Sequence, residues 1–396
     1  MPSSRHTPQS AEDLRDIVRS GMAAGTRFEI LGMGSKRRLG RAVAADEIID
    51  MSALSGITLY EPEELVMTAL AGTPLAEIEA ALAQRRQVMA FEPLDLGPLY
   101  GHAPGAGTLG GMVSAGLAGP RRIAAGAVRD HILGIEAVTG HGELVKAGGR
   151  VVKNVTGYDL PKLVTGSYGT LCILTSLTLK VMPAPEEERT IALAGLDVEE
   201  ALRLMRRVLA GPHAISGAAY LPAWATAAYD HRPVVFLRLE GFAASVAARF
   251  RALAAQMPEQ GEMMELDGEA SGDVWRTFRQ LGPALADDGD DLWRLSIPPS
   301  AAADLARGLE GELKARYWLD WAGGLLWLLV PPSAADAARL IRERASAAGG
   351  HATCLRGAAA EPFHPLDAAR LALTRRIKAG FDPMGLLNPG RMYEGV

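Results

Sequence analysis

Apolar and polar positions follow two periods along the chain, which predicts short strands interrupted by amphipathic helices. The pattern is clearest between residues 190 and 355, where the order β-α-β-β-α-β occurs twice. In the first copy, the helical segment begins after an N-cap residue, Asp197, and ends at Gly211. Each copy has the element order of a ferredoxin-like unit. We therefore predict two such units, separated by an insert with a helix around Trp275.

The remainder of the chain has shorter elements. Residues 11–25 predict a helix, and segments at 47–52, 57–62 and 66–72 alternate like strands. Further along, residues 149–154 predict another short strand ahead of a glycine turn.

The domain boundaries follow from breaks in these patterns. A proline-rich, charged segment, VMPAPEEER, ends the first group of elements. The fold class expected is α+β, with one domain at 1–185 (subdomains about 1–88 and 89–185) and a second at 186–358. The segment 359–396, a helix and then a loop, is expected to return to the first domain.

Composition narrows the possible functions. The net charge is −5, which excludes a strongly basic nucleic-acid binder. Only 2 of the 396 residues are cysteine, so this chain alone cannot provide four cysteine ligands for an iron–sulfur cluster. Glycine is abundant at 44 residues, and these concentrate between Gly97 and Gly169.

The first candidate motif is the turn Gly32-Met33-Gly34-Ser35-Lys36, which directly follows the apolar segment FEIL. Successive backbone N–H groups in a glycine turn can form a concave anion site. Ser35 adds a hydroxyl donor and Lys36 a positive charge. The GxGxxG fingerprint of dinucleotide-binding folds is absent.

The second motif is a glycine-rich segment from Ala106 to Gly119, preceded by Gly105. We predict a loop here, in which glycine backbone can approach a ligand closely. Thr108 and Ser114 supply hydroxyl groups. Two weaker signals are a turn around Gly169 and the tail motif NPGR, which begins at Asn388.

In their order along the chain, these segments resemble flavoproteins of the vanillyl-alcohol oxidase superfamily, whose FAD-binding domain is of the p-cresol methylhydroxylase type. The resemblance is greatest to the family of smaller FAD-binding subunits, the E subunits, of bacterial glycolate oxidase. The matching segments are GMGSKRRLG, GTLGGMVSAGLAGPRR, VRDHILG, VVKNVTGYDL, GSYGTLCILT and FDPMGLLNPGRMY.

The resemblance implies an FAD site with residues from several parts of the chain. The first turn would hold the pyrophosphate, the second segment would reach the pyrophosphate and ribityl side, Ile173 would lie against a ring system, and Asn388 would approach the isoalloxazine. The implied cofactor-binding residues are Gly32, Met33, Gly34, Ser35, Lys36, Gly107, Thr108, Gly110, Gly111, Ser114, Gly116, Ile173 and Asn388. Relatives that bind flavin covalently have a histidine in the first turn; this chain has none there, so we expect non-covalent FAD.

The catalytic residues are not identified by any pattern. Arg391 is a candidate ligand for a substrate carboxylate, His102 a candidate neighbour of the flavin, and Arg121 and Arg122 candidate anion contacts. No histidine pair has HxH or HxxxH spacing, and His351 and Cys354 should point to opposite faces of a strand, so no metal site is expected.

The resemblance implies a subunit of a glycolate (2-hydroxyacid) dehydrogenase complex, with a larger FAD-containing subunit and an iron–sulfur subunit as partners. Two alternatives remain: a self-sufficient FAD oxidoreductase of a small alcohol or hydroxyacid, and a non-catalytic scaffold subunit. We expect a cytoplasmic protein in which any association with the inner membrane is made through partner subunits, because no apolar run of membrane-spanning length is present.

Overall fold

The computed structural model describes residues 4–150, 158–285, 289–332, 334, 336–357, 359 and 361–396. The chain divides into two compact units. The first comprises Met1–Ala118, Ala127–Pro183 and Pro365–Val396, and the second comprises Gly119–Gly126 and Ala184–His364. The short segment Gly119–Gly126, which the sequence assigned to the first domain, thus belongs to the second unit.

The described strands of the first unit form three sheets. Its elements, numbered along the whole chain, are β1 (Arg5–His6), α1 (Ala11–Ala24), β2 (Phe28–Leu31), β3 (Glu47–Asp50), β4 (Ile57–Glu61), β5 (Val66–Leu70), α2 (Leu75–Ala83), β6 (Gln87–Val88), α3 (Leu109–Ala115), β7 (Ile132–Thr139), β8 (Leu144–Gly148), α5 (Leu160–Val164), β9 (Cys172–Lys180), β10 (Met182–Pro183) and α12 (Ala368–Phe381).

Among the described residues, β1-β3-β2 form a parallel sheet and β4-β5-β9-β7-β8 an antiparallel one, while β6 pairs with β10. Phe28 of β2 also forms a parallel bridge with Leu387, so the tail extends the small sheet. Residues 151–157, which include most of the strand predicted at 149–154 and most of the motif VVKNVTGYDL, lie outside the described residues.

The second unit contains α4 (Arg122–Ala125), β11 (Glu187–Ala194), α6 (Val198–Leu209), β12 (Gly217–Leu221), β13 (Val234–Gly241), α7 (Ala243–Ala254), β14 (Glu262–Asp267), α8 (Gly268–Arg279), α9 (Gly282–Leu285), β15 (Asp291–Ser296), α10 (Ala302–Leu313), β16 (Arg316–Asp320), β17 (Leu325–Val330), α11 (Ala337–Ala347) and β18 (His351–Arg356). Its described strands form one sheet in the order β14-β11-β13-β12-β16-β17-β15-β18.

This strand order confirms the predicted pair of ferredoxin-like units. Each half has its fourth strand beside its first and its third strand beside its second, and β12 pairs with β16 to join the halves. The helices α6, α7, α10 and α11 pack their apolar residues against the sheet in one core. Local sequence explains the elements well: Asp197 caps α6 by accepting from the Glu200 N–H at 2.8 Å, and Glu200 accepts in return from the Asp197 N–H at 3.1 Å.

Candidate functional site

A pair of adjoining cavities in the first unit collects residues from distant parts of the chain. With the space open to solvent included, their volumes are about 530 and 440 Å³. Their shared walls come from the end of β2, the start of α3, the turn before β9 and the tail after α12. The residues common to both are Ile30, Leu31, Gly32, Thr108, Gly111, Ser114, Tyr168 and Asn388.

The first wall is the turn after β2, where all five residues of the Gly32–Lys36 motif line the larger cavity. Gly34 has a φ of 73°, a conformation that glycine adopts without strain. The Lys36 ammonium lies 3.5 Å from Ser35 Oγ, and no carboxylate of the described residues is within ion-pair distance of it. Burial lowers the pKa of Lys36, and the more distant Asp95 carboxylate only partly opposes this.

This partly buried cation has chemistry suited to an anionic ligand. A desolvated ammonium without an adjacent counter-ion is unfavourable in a protein interior, and a bound anion would relieve that cost. A cofactor pyrophosphate at Lys36 and Ser35 therefore fits the donors that the turn presents.

The second wall is formed by the segment from Ala106 to Gly119, whose structure differs from the predicted loop. Residues Leu109–Ala115 form a helix, α3, rather than a loop. Thr108 caps it by accepting from the Gly111 N–H at 3.3 Å, and Gly116 ends it in the left-handed conformation. Because the segment is rich in glycine, the sequence did not indicate that Thr108 and Gly116 are the N-cap and C-cap of a helix.

Several glycines that were predicted to contact the cofactor allow protein segments to pack closely against each other. A Cβ on Gly110 would lie 2.9 Å from the Ala71 Cβ, and a Cβ on Gly32 would overlap Thr108 Oγ1. Gly107 and Gly116 do not line either cavity; a Cβ on Gly107 would lie 3.1 Å from Lys36 Nζ, and one on Gly116 would lie 3.0 Å from Gly166 Cα. Their contact with a cofactor stays a prediction.

The third wall is formed by β9 and the turn before it. Ile173 is fully buried and lines the smaller cavity, together with Gly169. Tyr168, which no sequence motif indicated as a site residue, lines both cavities. Its φ is 56°, in the left-handed region. It lies in the segment GSYGT, but nothing in that segment distinguishes a turn residue with a ligand role from an ordinary one.

Asn388 connects two of these walls. Its side-chain Oδ1 accepts from the Ile30 N–H at 2.9 Å, and its Nδ2 donates to the Tyr168 carbonyl at 2.8 Å. Its own backbone N–H donates to the Phe28 carbonyl at 2.9 Å. The NPGR motif is therefore part of the cavity wall, with Asn388 in the left-handed region at a φ of 42°.

The two catalytic candidates differ in their position relative to the cavities. Arg391 lines the larger cavity, but its Nη1 donates to the carbonyls of Arg37 and Leu39 at 2.7 and 3.3 Å. Its Nη2 lies 3.7 Å from Glu29, whose carboxylate also binds Arg37. Arg391 thus braces the first turn. Burial lowers its pKa, with Glu29 opposing. His102 is exposed and lines neither cavity.

The two other candidate arginines belong to the second unit. Arg121 forms an ion pair with Glu240, and the Arg122 guanidinium lies 4.9 Å from the centre of the Trp321 ring. Glu240 neighbours a second partly buried carboxylate, Glu188, which accepts from Ser271 Oγ at 2.7 Å. Burial raises the pKa of Glu188 to about 7, against the opposing effect of Arg238. These arginines therefore serve internal contacts of the second unit.

The described part of the chain contains no group of three or more His, Cys, Asp or Glu side chains arranged to hold a metal ion. Within the same residues, no helix has the length and apolar content to cross a membrane.

Known proteins resemble the chain over most of its length. The FAD binding domain family matches residues 2–148. The glycolate oxidase subunit GlcE of Escherichia coli K12 is 35% identical over 97% of this chain and 97% of its own. The D-2-hydroxyglutarate dehydrogenase of Xanthomonas citri is 26% identical over 98% of this chain and 88% of its own. Among solved structures, an alkyldihydroxyacetonephosphate synthase has a similar fold, with a TM-score of 0.71 at 14% identity over 97% of this chain and 75% of that one.

The family match and the cavity agree on the cofactor. FAD is a dinucleotide with a pyrophosphate at its centre, and the cavity offers the partly desolvated Lys36 ammonium beside two close-packed glycine segments. The identity with GlcE extends over both units rather than the FAD-binding domain alone. The chain is an FAD-dependent oxidoreductase and belongs to the family of the glycolate oxidase subunit GlcE.

Proposed function

We propose that this chain is the FAD-binding subunit of a glycolate (2-hydroxyacid) oxidase complex and passes electrons between its flavin and partner subunits. The observation that carries the proposal is the 35% identity to a glycolate oxidase subunit over 97% of both chains. A second glycolate oxidase subunit, GlcD of Bacillus subtilis, is 34% identical over 26% of this chain. Both names describe a subunit, which supports a multisubunit assembly.

The cavity residues suggest how the cofactor is held. Lys36 and Ser35 would bind the pyrophosphate, Ile173 would provide an apolar surface for a ring system, and Asn388 would fix the wall between them. When bound, FAD supplies two-electron oxidation and can release the electrons singly. The protein supplies orientation and exclusion of water. The segment from Gly32 to Leu39 contains no histidine, which supports non-covalent binding.

The cysteines favour an external electron acceptor. Cys172 and Cys354 are both buried, and burial raises the pKa of each thiol to about 12, so neither is poised for redox chemistry. Two thiols are also too few for an iron–sulfur cluster of four cysteine ligands. We propose that the acceptor is an iron–sulfur subunit, that a larger FAD-containing subunit completes the complex, and that the complex works on the cytoplasmic side of the membrane.

The test is purification of the chain alone and together with candidate partner subunits. Alone, it should carry flavin that anaerobic glycolate and D-lactate do not bleach. With the partners, it should co-elute and its flavin should be reduced by glycolate. Bleaching of the isolated chain would support a self-sufficient oxidoreductase instead. An active complex containing a chain without flavin would indicate a scaffold subunit.

A further inference from the structure

The only buried residue of helix α12 is a lysine that contacts no part of the cavity. Of the fourteen residues Ala368–Phe381, Lys378 alone is buried, with 4% of its surface exposed. Its Nζ donates to the Asp382 carboxylate at 2.6 Å, the Thr170 carbonyl at 2.6 Å and the Leu387 carbonyl at 3.0 Å. An ammonium has three donor hydrogens, so the three acceptors satisfy it completely.

Asp382 also holds the tail loop, through two hydrogen bonds from the loop's backbone. Its Oδ1 accepts from the Leu386 N–H at 3.0 Å and its Oδ2 from the Leu387 N–H at 2.8 Å. A Cβ on Gly140 would overlap the Asp382 side chain, so Asp382 sits in a space that only glycine leaves open. The carboxylate therefore has little freedom to move.

The segments joined by this ion pair continue directly into the cavity walls. Thr170 is separated by one residue from Tyr168, which lines both cavities, and Leu387 precedes Asn388. Asn388 in turn donates to the Tyr168 carbonyl at 2.8 Å. The ion pair and the asparagine thus hold the same two segments at two successive points.

We propose that Lys378 and Asp382 are positioning residues for FAD: their ion pair sets the separation of the Tyr168 turn and Asn388 across the cofactor cavity. A buried ion pair is weak evidence for added stability, because apolar residues of similar volume are often equally stable or better. The three oxygen acceptors, one in the turn before β9 and two in the tail loop, instead define the position of one segment relative to the other. This inference rests on the proposed use of the cavity as the FAD site.

The experiment measures FAD affinity and apoprotein stability separately in three variants of the full chain. Lys378→Met leaves the Asp382 carboxylate buried without its partner and can reduce stability as well as affinity. Lys378→Met/Asp382→Leu removes both charges, so its apoprotein should melt at a higher temperature than that of Lys378→Met, although the Leu386 and Leu387 N–H groups lose their acceptor. Leu82→Ala, a buried core change in α2 that touches neither cavity, provides a destabilised control.

We expect the double variant to bind FAD at least about tenfold more weakly than the wild type and with an altered visible circular dichroism spectrum at saturation. Leu82→Ala should keep both properties. Wild-type affinity and spectrum in the double variant, or an equal loss in Leu82→Ala, would overturn the inference. Failure of the complex to oxidise glycolate would instead count against the proposed function, because FAD binding is measured here without substrate or partners.

Discussion

The side-chain Oδ1 of Asn388 accepts a hydrogen bond from the Ile30 N–H at 2.9 Å, although the two residues are 358 positions apart. The bond joins the end of β2 to the tail at the cavity that the two segments line. Asn388 therefore determines whether the first turn and the tail form one continuous wall.

Replacing Asn388 by glycine should remove both side-chain hydrogen bonds while retaining a residue that accepts a φ of 42°. Because two net hydrogen bonds are lost, we expect the FAD dissociation constant to rise by roughly 10-fold. Flavin fluorescence quenching measures this directly. Gly390→Ala, a change at another left-handed position of the same loop, controls for backbone effects. Equal losses in both variants would mean that the side chain of Asn388 has no specific role.

Substitution of Lys36 should change apoprotein stability and cofactor affinity in opposite directions. Lys36→Met removes a partly buried ammonium that has no adjacent counter-ion among the described residues, so the apoprotein should become no less stable. The same change removes a charged donor to the pyrophosphate, and we expect the dissociation constant of FAD to rise roughly 10- to 100-fold.

Calorimetric melting of the apoprotein and titration with FAD provide the two measurements. Lys146→Met, at an exposed ion pair on β8, is the control and should leave FAD affinity unchanged. Unaltered FAD binding by Lys36→Met would exclude this turn as the pyrophosphate site.

Gly110 should be intolerant of a methyl group even without a cofactor. In Gly110→Ala the new Cβ would lie 2.9 Å from the Ala71 Cβ and 3.0 Å from its carbonyl oxygen. Overpacking of this kind costs about 1–3 kcal/mol of unfolding free energy. Hydrogen exchange of the α3 and β5 amides in the apoprotein should increase accordingly.

The matched control is Gly380→Ala in α12, where a Cβ would meet nothing within 4 Å. There the helix propensity of alanine should stabilise the protein by about 0.5–1 kcal/mol. If Gly110→Ala leaves apoprotein exchange unchanged and weakens only FAD binding, the glycine serves the cofactor rather than chain packing.

Glu188 in the second unit should make its stability fall as the pH rises from about 4.5 to about 7. The folded pKa of Glu188, about 7, is above the ordinary value of 4.5, so folding favours the protonated form. Its contribution is full below about pH 4.5 and is lost as the pH rises through about 7. Although burial opposes it, Arg238 and Arg121 lower the pKa of Glu240. The stability that Glu240 contributes is therefore lost only as the pH falls below its ordinary pKa of 4.5.

Glu188→Gln fixes a neutral side chain at this position. The difference in unfolding free energy between this variant and the wild type should shift in favour of the variant between pH 5 and about 7.5. Urea unfolding followed by tryptophan fluorescence reports on the second unit, because all 6 tryptophans lie between Trp224 and Trp327. A difference independent of pH would show that Glu188 titrates normally.

Elements fixed by local signals could be predicted from the sequence, whereas contacts between distant segments could not. The signals that begin and end α6 lie beside the helix itself: Asp197 is its N-cap, and Gly211 follows its C-cap, Ala210, by one residue. The capping residues of α3, Thr108 and Gly116, also lie beside their helix, but the glycines between them indicated a loop.

The tail contains contacts with distant segments that its sequence does not predict. The i, i+4 spacing of Lys378 and Asp382 is visible in the sequence and is usually a surface ion pair. Its burial depends on the carbonyl of Thr170, which lies 208 residues earlier. The resemblance placed Asn388 near the cofactor, but its hydrogen bonds to Ile30 and Tyr168 require the folded arrangement.

The bridge between Phe28 and Leu387 has a consequence for the order of events during synthesis. Domains generally fold from the N-terminus as the chain is translated. The cavity, however, requires Asn388 and Arg391 against residues made more than 350 positions earlier. The second unit, apart from Gly119–Gly126, is synthesised entirely in that interval. A nascent chain shorter than about 391 residues lacks a complete wall, so FAD would be acquired only after translation has passed the tail motif.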